Sequence, residues 1–349
     1  MRVIEPAARC AKIKRTAMRH LIISLSVLLL FLPKGFTYAQ SPAKQILNES
    51  VKDSAEKINP VDASSYVNRG LAFHDKGQYD EAISDYTKAI EINPDHALAY
   101  YNRGNAYADK GKYYEAISDY TKAIEINPVD ALVYGNRGIA YSKKGLYEKA
   151  LSDYDKAIEI DPEHVSAYAN RGFLYHEEGQ YDKAVSDYSR ALEIDPEYAF
   201  AYANRGLVYH VEGQYDKAVS DYTKAIENNT EYTLAYYNRG IIYFNEEQYD
   251  KAISDYSRVV EIDPEYTLAY YQRGLAYYNH NEGQYNEAIS DFTKVIENNT
   301  EYTSAYYYRG IAYNAKGNIK NACSDWKKAC ELGDCRKWGI VNKMRCFGK

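Results

Sequence analysis

The chain has 349 residues, 26% charged and 14% aromatic, with 40 tyrosines and a formal net charge of -6. Residues 1–39 hold seven Lys/Arg against Glu5, so the rest carries 36 Lys/Arg against 48 Asp/Glu, a balance that excludes a nucleic-acid-binding body. No G-x-x-x-x-G-K-[ST], G-x-G-x-x-G, H-E-x-x-H or G-x-S-x-G occurs, so the chain reads as non-enzymatic, with no cofactor and no metal.

In chain order, a basic stretch from Met1 to His20 is followed by twelve residues from Leu21 to Leu32 (LIISLSVLLLFL) and by Thr37-Tyr38-Ala39. That run is short for a bilayer span, and the order of basic, apolar and small residues suits an export signal cut after Ala39. The expectation is a periplasmic or secreted protein beginning at Gln40, without a membrane span; the alternative is an anchor through residues 21–32. Residues 40–62 look like a linker, yet Leu47, Val51, Ala55 and Ile58 fall at i, i+4, i+8 and i+11. They are expected to form a capping helix, because the end of a repeat stack needs one polar outer face.

From Ala63 the chain repeats itself. Counted from Ala97 as position 1, the unit Ala97–Asp130 has Tyr100 at 4, Gly104 at 8, Tyr107 at 11, Ala116 at 20, Tyr120 at 24, Ala123 at 27 and Pro128 at 32. Positions 4, 8 and 11 share one face of a first helix, and 20, 24 and 27 share one face of a second. Lys110-Gly111 marks the turn between them, where glycine takes the left-handed conformation cheaply. The Arg-Gly pair recurs from Arg69-Gly70 to Arg309-Gly310 at intervals of 34 residues, except for a last interval of 36.

This pattern resembles the tetratricopeptide repeat. The resemblance implies an all-α, right-handed α-solenoid of eight units at 63–96, 97–130, 131–164, 165–198, 199–232, 233–266, 267–302 and 303–333, with a basic tail at 334–349. Repeats five and seven close with Asn228-Asn229-Thr230 and Asn298-Asn299-Thr300 instead of proline, and Glu247 replaces the turn glycine in repeat six; these junctions are expected to be the softest. Arg at position 7 and Asp at position 23 occur in all eight units and are expected to pair.

In the family, positions 2, 5, 6, 9 and 12 of the first helix line the concave surface that takes up a partner peptide. Carried over, position 6 is Asn68, Asn102, Asn136, Asn170, Asn204, Asn238, Gln272 and Tyr308, a row of carboxamides suited to a peptide backbone. It is similar to the asparagine ladder in the solenoid of protein O-linked sugar transferases, whose catalytic domain is absent here. Position 5 carries Tyr101, Tyr237, Tyr271 and Tyr307 but no lysine, so the carboxylate clamp of the co-chaperone members is rejected. With Phe244 and Tyr278, these rings make a glycan-binding accessory of envelope assembly the alternative to a peptide-binding scaffold.

His176 and His210, both at position 12, read as solvated groove residues rather than zinc ligands. Cys323, Cys330, Cys335 and Cys346 are disulfide candidates if the chain is exported. Cys323 and Cys330 are seven residues apart on one helix, about 10 Å, too far to bond each other. Two pairings remain, the simpler being nested: Cys330 with Cys335 and Cys323 with Cys346.

Overall fold

The computed structural model describes residues 61–280 and 283–336, which form sixteen α-helices and no strands. Each repeat is an antiparallel helix pair, beginning with α1 (Ala63–Asp75) and α2 (Tyr79–Ile92) and ending with α15 (Thr303–Ala315) and α16 (Ile319–Glu331). Six further pairs lie between: α3 (Ala97–Asp109) and α4 (Tyr113–Ile126), α5 (Ala131–Lys143) and α6 (Tyr147–Ile160), α7 (Val165–Glu177) and α8 (Tyr181–Ile194), α9 (Ala199–Val211) and α10 (Tyr215–Asn228), α11 (Thr233–Asn245) and α12 (Tyr249–Ile262), α13 (Thr267–Asn279) and α14 (Tyr285–Asn298). The expected export signal and capping helix, and most of the tail, lie outside the described residues.

Glycine at position 8 sets how closely the two helices approach. A Cβ on Gly104 would stand 2.7 Å from Cε1 of Tyr120, the fully buried ring at position 24, so no other residue fits without displacing it. Alanines at positions 20 and 27, such as Ala116 and Ala123, complete the contact. The turn glycine sits at positive φ, as at Gly111 (73°), and in repeat six Glu247 is driven to φ 62° to make the same turn. Between repeats, an Asx turn holds the chain: Asn93 Oδ1 accepts from Asp95 N at 3.1 Å, and Asn229 and Asn299 accept from Glu231 N and Glu301 N at 3.0 Å. The junctions that lost proline therefore keep the turn, because the asparagine supplies it.

All eight Arg–Asp pairs form, each within its own repeat. Arg103 Nε and Nη2 donate to the two oxygens of Asp119, both at 2.8 Å, while Nη1 donates to Thr87 Oγ1 of the preceding repeat at 3.0 Å. Arg137, Arg205, Arg239, Arg273 and Arg309 reach a Thr or Ser of the preceding repeat in the same way, and Arg171 reaches Asp155. The guanidinium also lies between rings at positions 4 and 11, as Arg137 does 5.6 Å from Tyr134 and 5.7 Å from Tyr141. Burial pushes the carboxyls of Asp153, Asp187, Asp255 and Asp291 up despite the guanidinium fork. This desolvation cost offsets part of what the pairs contribute, while the third arm ties each repeat to the one before it.

Each first helix touches the first helix of the next repeat, whereas among the described residues no second helix touches the next second helix. The stack therefore curves with its first helices on the inside.

Candidate functional site

Helix geometry decides which side chains the inner face presents. At 100° per residue, positions 2, 9 and 13 of a first helix fall within about 40° of one another, with position 5 rotated toward the following repeat and position 6 toward the preceding one. The burial pattern agrees. Asn102, Asn136, Asn170 and Gln272 are buried, as are Tyr101 and Tyr237.

This corrects the expected row of free carboxamides. Asn136 is fully buried and donates through Nδ2 to Tyr101 Oη at 3.1 Å and to Asn105 Oδ1 at 3.0 Å, both on the preceding repeat. Burial pushes the Tyr101 hydroxyl up to about 12. Asn204, half-buried, donates to the carbonyl of Phe200 on its own helix at 2.7 Å. Asn68 in repeat one, which no repeat precedes among the described residues, is exposed, and Asn238 is half-buried. Three asparagines of the row, with Gln272, are thus buried, and Asn136 ties its repeat to the preceding one, because position 6 sits on the flank of the helix.

The aromatic half of the expected groove is also turned inward. Tyr237 packs on Tyr256 and Tyr266, with ring centroids 5.9 and 5.3 Å away. Tyr271 packs on Phe292, Tyr302 and Tyr308, and of the four position-5 tyrosines only Tyr271 and Tyr307 are half-buried rather than buried. The residue just before the next helix fills whatever space position 5 leaves. Where Gly135 stands, His164 Nε2 lies 3.0 Å from the place of a Cβ.

His176 and His210 are likewise buried, not solvated, each packed against the ring that opens its second helix: Tyr181 at 5.8 Å and Tyr215 at 5.7 Å. Burial holds the His210 imidazole down to about 4 and also lowers His164. No group of three or more His, Cys, Asp or Glu among the described residues is arranged to hold a metal ion. At the C-terminal end Cys330 and Cys335 are joined by a disulfide; Cys323 is also disulfide-bonded, and Cys346 lies outside the described residues.

What the inner face does present is apolar. Position 2 supplies Leu98, Leu132, Phe200, Leu234 and Leu268, with Leu98 40% and Leu234 39% exposed. Where position 2 is serine, at Ser64, Ser166 and Ser304, position 9 supplies a half-buried Leu71, Phe173 or Ile311 instead. An apolar strip thus runs along the described length, and position 13 adds Asp75, Asp109 and Glu177 beside its N-terminal half. The signal was present in the sequence as a large apolar residue at position 2 or 9 of nearly every unit, and it was masked by the more uniform asparagine beside it.

Family comparison agrees with this architecture. The model described as tetratricopeptide repeat matches residues 97–130, 131–164, 199–232 and 233–266, and related models match 70–111, 153–186, 174–212 and 268–302. The chain belongs to the tetratricopeptide repeat family. Among solved structures it is similar to YrrB, described as a TPR protein with an unusual peptide-binding site, at 30% identity and a TM-score of 0.50 over 54% of this chain and 97% of that one. A tetratricopeptide repeat protein from Parabacteroides merdae matches at 25% identity, TM-score 0.48, over 70% of this chain and 96% of that one. The hetero-tetramer Cut9-Hcn1 matches in fold, at 16% identity and TM-score 0.51, over 85% of this chain and 58% of that one. A search of curated proteins returns no match.

Proposed function

We infer that this chain is a protein-interaction scaffold, a reading its fold and family support. We propose that it holds an extended or helical segment of a partner protein against the inner face, through the apolar strip of positions 2 and 9. The observation that carries the reading is the exposure of Leu98 and Leu234 on a face whose flanking polar positions are turned into the repeat junctions. Burying the exposed part of each such side chain on a partner is worth on the order of 1 kcal/mol, whereas Asn102, Asn136 and Asn170 are buried away from solvent. YrrB, whose description names a peptide-binding site, supports a peptide ligand. A peptide is favoured over the glycan alternative because Tyr237 and Tyr271, two of the rings a sugar would use, pack on neighbouring rings.

Export, cleavage after Ala39 and an envelope location form part of the same proposal. The basic-then-apolar start and the disulfide between Cys330 and Cys335 support it, since disulfides persist in oxidising compartments. No helix among the described residues is long and apolar enough to cross a membrane. Photo-crosslinking from position 2, with a benzophenone side chain at Leu98, Leu132 or Leu234, tests the reading. Partner adducts from these positions, and none from the outer face at Lys122 or Lys156, are expected; adducts confined to the outer face would overturn it.

A further inference from the structure

The C-terminal end of the stack has a site that no repeat among the described residues covers. In the preceding repeats the residue that closes the unit lies on the position-5 ring: Tyr266 on Tyr237 at 5.3 Å, and Tyr302 on Tyr271 at 5.2 Å. Among the described residues no ninth repeat supplies this residue for Tyr307. Arg336, 29 residues after Tyr307 as Tyr266 is after Tyr237, takes the place, its guanidinium carbon 4.2 Å from the ring centroid. Tyr308 stands edge-on to Tyr307 at 5.1 Å and stacks on Phe292 at 6.1 Å, so the platform is backed by a packed aromatic cluster. Beneath it the Trp326 indole donates to the Tyr307 carbonyl at 3.2 Å.

We propose that this platform is a binding site for the cationic side chain of a partner, arginine above all, and that Arg336 fills it in the free protein. The contrast with the arginine ladder shows why Arg336 is displaceable. Each ladder guanidinium is forked by an aspartate on a different helix, and its side chain is only 15–19% exposed. Arg336 lies on the Tyr307 ring with Tyr308 nearby and its side chain 50% exposed; it too is forked by a carboxylate, but by Asp334 of its own turn, whose Oδ1 and Oδ2 accept from Nε at 2.8 and 2.9 Å. That ion pair is internal to the turn and makes no bond to the helix that carries the ring. The turn is closed by the Cys330–Cys335 disulfide and by Asp334 N donating to the Ala329 carbonyl at 2.8 Å, so the occupant is tethered within reach and competes as a local ligand. A flat, weakly hydrated guanidinium suits an aromatic face better than an ammonium does.

The inference rests on the scaffold reading only for the origin of the arginine, and its test needs no partner. Binding of Nα-acetyl-arginine amide to the mature chain is followed by ligand-observed NMR, with Nα-acetyl-glutamine amide as the uncharged control. R336A is expected to bind the arginine amide about three- to sixfold more tightly than the parent, the gain from emptying a site filled by one exposed cation–π contact. R336K is expected to fall between the two, and Y307L in the R336A background to lose the gain. Equal binding by parent and R336A, or equal binding of the glutamine amide, overturns the proposal. Should Y307L loosen the last repeat, as circular dichroism would show, the comparison of parent, R336A and R336K still decides. A failed crosslink from position 2 would leave this result untouched, so the two readings fail separately.

Discussion

At the scale of single residues, the same amino acid means different things at adjacent positions of one helix. Asparagine at position 6 looked like an open hydrogen-bonding row because the helix face was legible but its flank was not: a rotation of as little as about 20° separates a groove residue from a junction residue. Two residue-level predictions follow from what the junctions and turns demand. Glu247 holds a left-handed conformation that the other turns give to glycine, so Glu247→Gly should stabilise the protein by about 1 kcal/mol, read as a higher midpoint in urea; an unchanged or lower midpoint would show that the turn carries no strain. His210 is buried neutral, with its folded pKa held down to about 4 against about 6.5 when unfolded. The unfolded chain therefore binds a proton that the fold refuses, so the contribution is intact above about pH 6.5 and is lost as pH falls toward 4, by up to about 3 kcal/mol. His210→Phe, which copies Phe244 of the next repeat, should flatten that part of the stability curve. The raised aspartate carboxyls act in the opposite sense, so variant and parent are compared at each pH.

At the scale of elements, nearly everything was legible. Two helices, a glycine turn and a fixed set of small residues recur with a 34-residue period, and one helix pair solved is eight solved, because each unit meets only its neighbours. The expected Arg–Asp pairing is present in every repeat, but its third arm, from each arginine after Arg69 back to a Thr, Ser or Asp of the preceding repeat, was not foreseen. Thr87, Thr121 and their equivalents look like ordinary helix-surface residues until the next unit is placed. Arg137→Ala should therefore cost about 3–5 kcal/mol, since it strands the Asp153 carboxylate and unties Thr121. Replacing Arg137 and Asp153 together by leucine and alanine should cost markedly less, as measured by denaturant unfolding. Equal costs for the single and double changes would mean that the pair contributes net stability after all.

At the scale of the whole molecule, curvature makes the site. First helices touch across repeats and second helices do not, so an apolar residue at position 2 or 9 of each unit becomes part of one strip. Sequence pattern could place those residues on a helix face, but the choice between position 6 and positions 2 and 9 depended on how far one repeat rotates against the next, which no single unit encodes. The account's central claim is that this strip, not the asparagine row, holds the partner. The most direct measurement is the affinity of a partner segment recovered by position-2 crosslinking for the parent and for the triple variant Leu98→Ser, Phe200→Ser and Leu234→Ser. Helicity should be nearly unchanged and the unfolding midpoint lowered only modestly, because Leu98 and Leu234 are 40% and 39% exposed and Phe200 is half-buried, while binding weakens by about a hundredfold or more. A triple variant that folds normally and binds its partner as tightly as the parent would contradict the account.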